Sequence, residues 1–154
     1  MLCLWFIVIY RLDSVNKTET SWDVFGYYLY LPATFVYDDP MLNDRTWVEQ
    51  VNEKHHLTAT IYQIGETPDH KPMYFFLMGM SFLYLPFFLL GHGIAAVFGF
   101  PMDGFSEPYQ YSLVFGGIVY TFIGLVFLRK LLLRLFSDKM VALLLIILLF
   151  TTNA

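Results

Sequence analysis

Residues 73–100 run for twenty-eight positions without an Asp, Glu, Lys or Arg, and residues 109–128 do so for twenty. An α-helix needs about 20 apolar residues, at 1.5 Å each, to cross the hydrocarbon core of a bilayer. Both blocks pass that length test. The whole chain of 154 residues agrees with them: 57% of it is hydrophobic, 19% aromatic and only 14% charged, with a mean hydropathy of +0.55. Ordinary soluble domains carry roughly 25% charged residues. The sequence therefore reads as an integral, multi-pass membrane protein of the all-α class.

The same composition excludes other classes. A formal net charge of −4 and the lack of a basic stripe leave no footprint for nucleic acid. A single cysteine, Cys3, rules out a disulfide framework and any Cys-based zinc site, and reads as a buried inert thiol.

Two shorter apolar runs flank the long ones. Residues 1–10 lack the basic start and small-residue cleavage site of a signal peptide, so they read as the outer part of a first span. Residues 140–154 read as the beginning of a further one. The expectation is one membrane domain belonging to a longer protein with more spans: 1–10 a partial span, 11–108 a loop, 109–128 a span, 129–139 a turn and 140–154 the start of another span.

Between the first two apolar blocks, residues 11–72 hold five Lys/Arg and ten Asp/Glu, a net acidic stretch. Within it, 22–37 is rich in Tyr and Phe around Pro32, as expected of a segment lying along a membrane surface. One helix is expected over 46–56. The connection 129–139 carries four basic residues against one acid and reads as cytoplasmic by the positive-inside rule. The loop 101–110, with no Lys or Arg, then lies outside. Pro86, followed by Gly91, His92 and Gly93, favours two shorter helices over 73–100 that dip into or lie along the outer leaflet, while hydropathy alone leaves a simple span open. Asp23, Lys71 and Gly104 would then be external and Ser137 cytoplasmic. A simple span over 73–100 would instead put the long polar loop inside.

Two motifs carry a resemblance: Trp22-Asp23-Val24-Phe25-Gly26-Tyr27-Tyr28 and His70-Lys71-Pro72-Met73-Tyr74. With the span 109–128, the basic turn and the start of a span at Met140, their order is similar to the N-terminal part of the lipid-linked-sugar glycosyltransferases of the GT-C fold. That family includes protein O-mannosyltransferases and the lipid A aminoarabinose transferase. The departure is Met73, where the family's lysine motif carries a second proline. The resemblance implies a long first external loop with membrane-parallel helices. It also implies transfer of a sugar from a polyprenyl-phosphate donor to an acceptor at the external face of the cell membrane, with inversion at the anomeric carbon.

Such chemistry needs a base for the acceptor hydroxyl and positive character for the departing phosphate. Asp23, among aromatics, is the candidate base; its competing role is to cap the helix expected from Val24. Lys71 is the candidate phosphate ligand. Pro72 suits a first helical turn, which would place Lys71 beside a helix N-terminus where anions are favoured. Tyr27 and Tyr28 are candidates to line the donor site. Asp38 and Asp39 before Pro40 read as a turn with a possible accessory role. His55 and His56, adjacent on a helix, point to different faces and argue against a metal site. Asp103 and Glu107, with Tyr109, are candidates for a sugar pocket; the competing reading is that they only form the loop that Pro101, Gly104 and Pro108 demand. No residue is assigned to a metal, and the cofactor stays open. The competing class is a transporter or non-catalytic membrane subunit with a broken-helix site near His92.

Overall fold

A computed structural model describes residues 19–151; the expected first span lies outside them. The order of elements is α1 (Asp23–Tyr28), α2 (Tyr30–Phe35), α3 (Thr46–His55), β1 (Ile64–Glu66), β2 (Pro72–Tyr74), α4 (Gly79–Phe98), α5 (Glu107–Leu132) and α6 (Asp138–Thr151). The chain is mostly helical, and two of its helices, α4 and α5, are long and apolar enough to cross a membrane. Only 22% of each apolar window is buried, so neither is a core helix of the soluble kind. Contacts group into two units, Met1–Gly116 and Gly117–Ala154.

In the first unit, α1 and α2 form a short aromatic layer. Phe25, Tyr28, Leu29, Leu31 and Ala33 are buried, and Leu29, in the right-handed helical region, is the one-residue turn between the two helices. Pro32 falls in the first turn of α2, where its missing N–H costs nothing. Helix α3 has the amphipathic spacing the sequence suggests: Trp47, Val48 and Val51 face the core, while Glu49, Gln50, Glu53 and Lys54 stay in solvent. It ends at His56, whose left-handed backbone (φ 52°) lets its N–H return to the carbonyl of Asn52.

Three features depart from the sequence reading. The chain is not purely α-helical: β1 and β2 pair antiparallel, with Ile64 opposite Tyr74 and Glu66 opposite Pro72. Pro72 therefore opens a strand and not a helix, a position its missing N–H also tolerates. Lys71 consequently sits in the turn of a β-ribbon and not at a helix N-terminus. Finally, α4 runs unbroken through Pro86 for 20 residues. Proline removes one backbone bond, but the turns around it are held: Ser81 donates to the carbonyl of Tyr27 (2.5 Å), and Phe88, fully buried, packs on Tyr28 and Tyr109.

Helices α4 and α5 approach closely at Gly91, where an added Cβ would lie 2.9 Å from the Cα of Tyr109. No larger residue fits there without moving the backbone. Between these helices the chain turns at Gly99 (φ 72°), and Gly104 (φ 82°) presses against Pro32. A β-carbon at Gly104 would sit 2.8 Å from that of Pro32 and 3.7 Å from Phe88. The connection thus folds back to the middle of α4. In the second unit, α5 carries the basic residues Arg129 and Lys130 in its last turn, and Arg129 pairs with Asp138 at the start of α6 (2.7 Å).

Candidate functional site

The acidic side chains of the polar segment divide by what occupies them. Asp39 accepts from the backbone N–H groups of Asn43 and Asp44 and from the side chain of Asn43. Slight burial works to raise its pKa, but these bonds win and hold it below the usual carboxylate value. Asp44 is likewise lowered, first by the Thr46 hydroxyl and then by the Thr46 amide. Both build the turn into α3. Asp38 beside them is exposed with a left-handed backbone (φ 50°), as a turn demands.

Asp103 is the most heavily engaged. Its Oδ1 accepts from the backbone N–H of Phe105 (2.9 Å) and Ser106 (2.7 Å); its Oδ2 accepts from Lys54 Nζ (2.7 Å) and lies 3.2 Å from His55 Nε2. Desolvation pushes its pKa up, yet His55, Lys54 and the two amides together hold it far below the ordinary carboxylate range. The site fastens the α4–α5 connection to the end of α3. Tyr37 donates to its carbonyl, and burial followed by the Asp103 charge pushes the Tyr37 phenol up to about 12. Asp103 is therefore a structural anchor of the α4–α5 connection.

Asp23 differs. It is the first residue of α1 and exposed, with Trp22 as N-cap and no capping bond from a side chain. The cap role therefore falls away. Among the described residues its carboxylate receives one bond, from the Tyr62 hydroxyl (2.5 Å), and this bond raises the Tyr62 phenol. Trp22 beside it is 58% exposed.

Lys71 is exposed, and no carboxylate among the described residues pairs with it. The neighbouring cations are engaged: Arg45 with Glu66 and the carbonyl of Gly65, Lys54 with Asp103, and His70 near Glu66. The structure does not bring Lys71 against Asp23. Tyr62, which reaches Asp23, precedes β1, whereas Lys71 lies in the turn at the ribbon's other end. Four residues of extended chain separate those levels by roughly 13 Å.

The two tyrosines also separate. Tyr28 is fully buried, donates to the carbonyl of Gly104 (2.5 Å), and has its phenol pushed well up by that burial and by Tyr109 and Asp103. No ligand can reach it without unpacking the core. Tyr27, half-buried, lies edge-on to Phe76 beside Tyr62. His92 is hydrogen-bonded to the Tyr109 hydroxyl (2.7 Å) within the packed helices. Glu107 is exposed at the start of α5 and lines an open apolar groove of about 330 Å³ with Leu90, Ile94 and Phe100. Among the described residues no three His, Cys, Asp or Glu converge as metal ligands.

Tyr62, Gln63, Lys54 and His55 were not candidates from the sequence. Their roles arise from partners 39 to 49 positions away, and nothing local signals them. No protein-family model matches the chain, and no curated protein or solved structure is significantly similar to it.

Proposed function

We propose that the chain is part of a multi-pass membrane glycosyltransferase that moves a sugar from a polyprenyl-phosphate donor to an acceptor at the external face, with Asp23 as base. The observation that carries this reading is the state of Asp23. It is an exposed carboxylate in an aromatic surround, held by one phenol and free of the structural duties that occupy Asp39, Asp44 and Asp103.

In the reaction, an Asp23 oxygen takes the proton of the acceptor hydroxyl as that oxygen attacks the anomeric carbon. The bond from this carbon to the donor phosphate breaks, and the phosphate leaves with the electron pair. Lys71 pairs with the negative charge that develops there. Base and leaving group stand on opposite sides of the anomeric carbon in an inverting displacement. Placement of the two groups at different ends of one ribbon is compatible with that geometry.

The membrane arrangement is part of the proposal. Helix α5 crosses the bilayer, and α4 lies along the outer surface. Supporting this, the connection that carries Asp103, and with it the Lys54 pair, folds back on α4: a β-carbon at Gly104 would lie 3.7 Å from Phe88. If α4 crossed the membrane, a charged pair carried in beside it would be costly in the hydrocarbon. An unbroken α4 also removes the broken-helix feature on which a transporter site near His92 would depend.

The test is Asp23→Asn in the full-length protein. General-base catalysis contributes typically 10²–10⁴-fold, so transfer from radiolabelled polyprenyl-phosphate sugars should fall by at least about a hundredfold with insertion intact. Turnover at the wild-type rate would refute the assignment.

A further inference from the structure

Trp22 is held in a backbone conformation that a residue with a β-carbon rarely adopts, with φ 54° and ψ −124°. Strain of this kind costs of order 1–3 kcal/mol and persists only where neighbours over-determine it. Here both backbone groups are fixed: the N–H donates to the carbonyl of Leu57 (3.0 Å), and the C=O accepts from Gln63 Nε2 (2.9 Å). Gln63 is itself fully buried, and its Oε1 has no partner among the described residues.

This clamp presents the indole to solvent. Trp22 is 58% exposed and makes no ring contact with another aromatic among the described residues. It lines an open groove of about 720 Å³ that runs past Glu53, His56 and Thr58 at the end of α3. Asn52, in the same wall, spends its amide on Thr58, so Glu53 and His56 supply the polar groups without a partner among the described residues. The next residue in the chain is Asp23.

We propose that this groove is the acceptor subsite, and that it takes a neutral saccharide whose apolar ring face stacks on Trp22 and whose hydroxyls reach Glu53 and His56. This rests on the glycosyltransferase reading for its place beside the base. The ligand class follows from the charges. Asp23 and Glu53 make the surroundings acidic, and Lys54, next to Glu53 on α3, is spent on Asp103. A phosphorylated or carboxylated ligand would meet repulsion, whereas a polyhydroxyl ring offers donors to carboxylates and an apolar face to an indole. A tryptophan that only anchors in the lipid interface needs neither a strained backbone nor a polar groove at its edge.

The test measures binding in the absence of any donor. Full-length protein labelled with 5-fluorotryptophan, in nanodiscs of phosphatidylcholine and phosphatidylglycerol, is titrated with neutral oligosaccharides and with their sulfated counterparts. The resonance of Trp22 is assigned with Trp22→Phe. Neutral sugars should shift it saturably and bind at least about tenfold tighter than sulfated ones, while Trp22→Ala should weaken binding by about tenfold. A resonance that ignores every saccharide, or that moves only when the nanodisc lipid is changed, overturns the proposal in favour of a membrane anchor. Binding that persists in a protein without transferase activity would sink the enzyme reading and leave the saccharide site standing.

Discussion

The Tyr62 hydroxyl donates to Oδ1 of Asp23 over 2.5 Å, joining two residues 39 positions apart. One phenol thus fixes the direction of the carboxylate, and the second oxygen remains open to solvent. A bond to a charged group contributes about 1.5–3 kcal/mol when buried, and less at this exposed site. Tyr62→Phe should therefore lower kcat by about fivefold, with KM little changed. The residue positions the base and does not itself react. A phenylalanine variant with wild-type kcat would show that Asp23 needs no such guide.

The reading of Lys71 is tested by its charge and by its shape. Its ammonium has no carboxylate partner among the described residues, and Arg45 and Lys54 are engaged elsewhere. Lys71→Met should weaken the donor and slow transfer by about tenfold, the order of one screened charge-assisted contact. Lys71→Arg should retain part of the activity, because the charge survives while a planar fork replaces a compact ammonium. Donor titrations on both variants decide it; unchanged kinetics in Lys71→Met retire the phosphate role.

Topology can be read with single cysteines in a Cys3→Ser background. Position 104 is unsuitable because Gly104 is buried at φ 82°, with no room for a β-carbon beside Pro32. Met102, 47% exposed on the same connection, serves instead. With α4 along the outer surface, an impermeant thiol reagent added to intact cells should label cysteines at 23, 71 and 102 but not at 137. Labelling at 102 without 23 and 71 would mean that α4 crosses the bilayer.

The parts of the fold legible in the sequence are those with a local cause. An uncharged run long enough to span, the amphipathic spacing around Trp47, Val48 and Val51, and the Asp38-Asp39-Pro40 turn all depend on residues a few positions apart. The misreadings concern choices that tertiary contacts make. Pro72 permits either a helix start or a strand start, and pairing with Glu66 selected the strand. Pro86 weakens a helix but does not end one whose neighbouring turns are clamped by Tyr27 and Tyr28. Asp103 reads from the sequence as a candidate for a sugar pocket or as part of a loop. Its partners Lys54 and His55, nearly fifty positions earlier, make it an anchor, and no local pattern carries that information.

That anchor predicts how stability depends on pH and on charge. The folded pKa of Asp103 lies below its ordinary value of 3.8, so the stabilisation is fully present above that value. It fades as pH falls through the acid range toward the folded pKa. Two kinds of interaction contribute, and their sizes differ. Lys54 is 57% exposed, so its ion pair is worth at most about 1 kcal/mol. The amides of Phe105 and Ser106 are half-buried, and leaving both without an acceptor costs about 2–3 kcal/mol. Asp103→Ala should thus destabilise by about 2–4 kcal/mol, whereas Lys54→Met costs under 1. Asp103→Asn, which keeps an acceptor oxygen but loses the charge, should fall between them at about 1–2 kcal/mol. Thermal unfolding in detergent micelles, followed by circular dichroism, would rank the three variants. The gap between wild type and Asp103→Asn should stay nearly constant from pH 7 to about 5 and narrow as pH is lowered from about 4 toward 2, since the unfolded chain then takes up the proton and the charge in which they differ is lost. A gap of constant size across the whole of that range would mean that shape alone, and not the carboxylate's charge, holds the connection to α3.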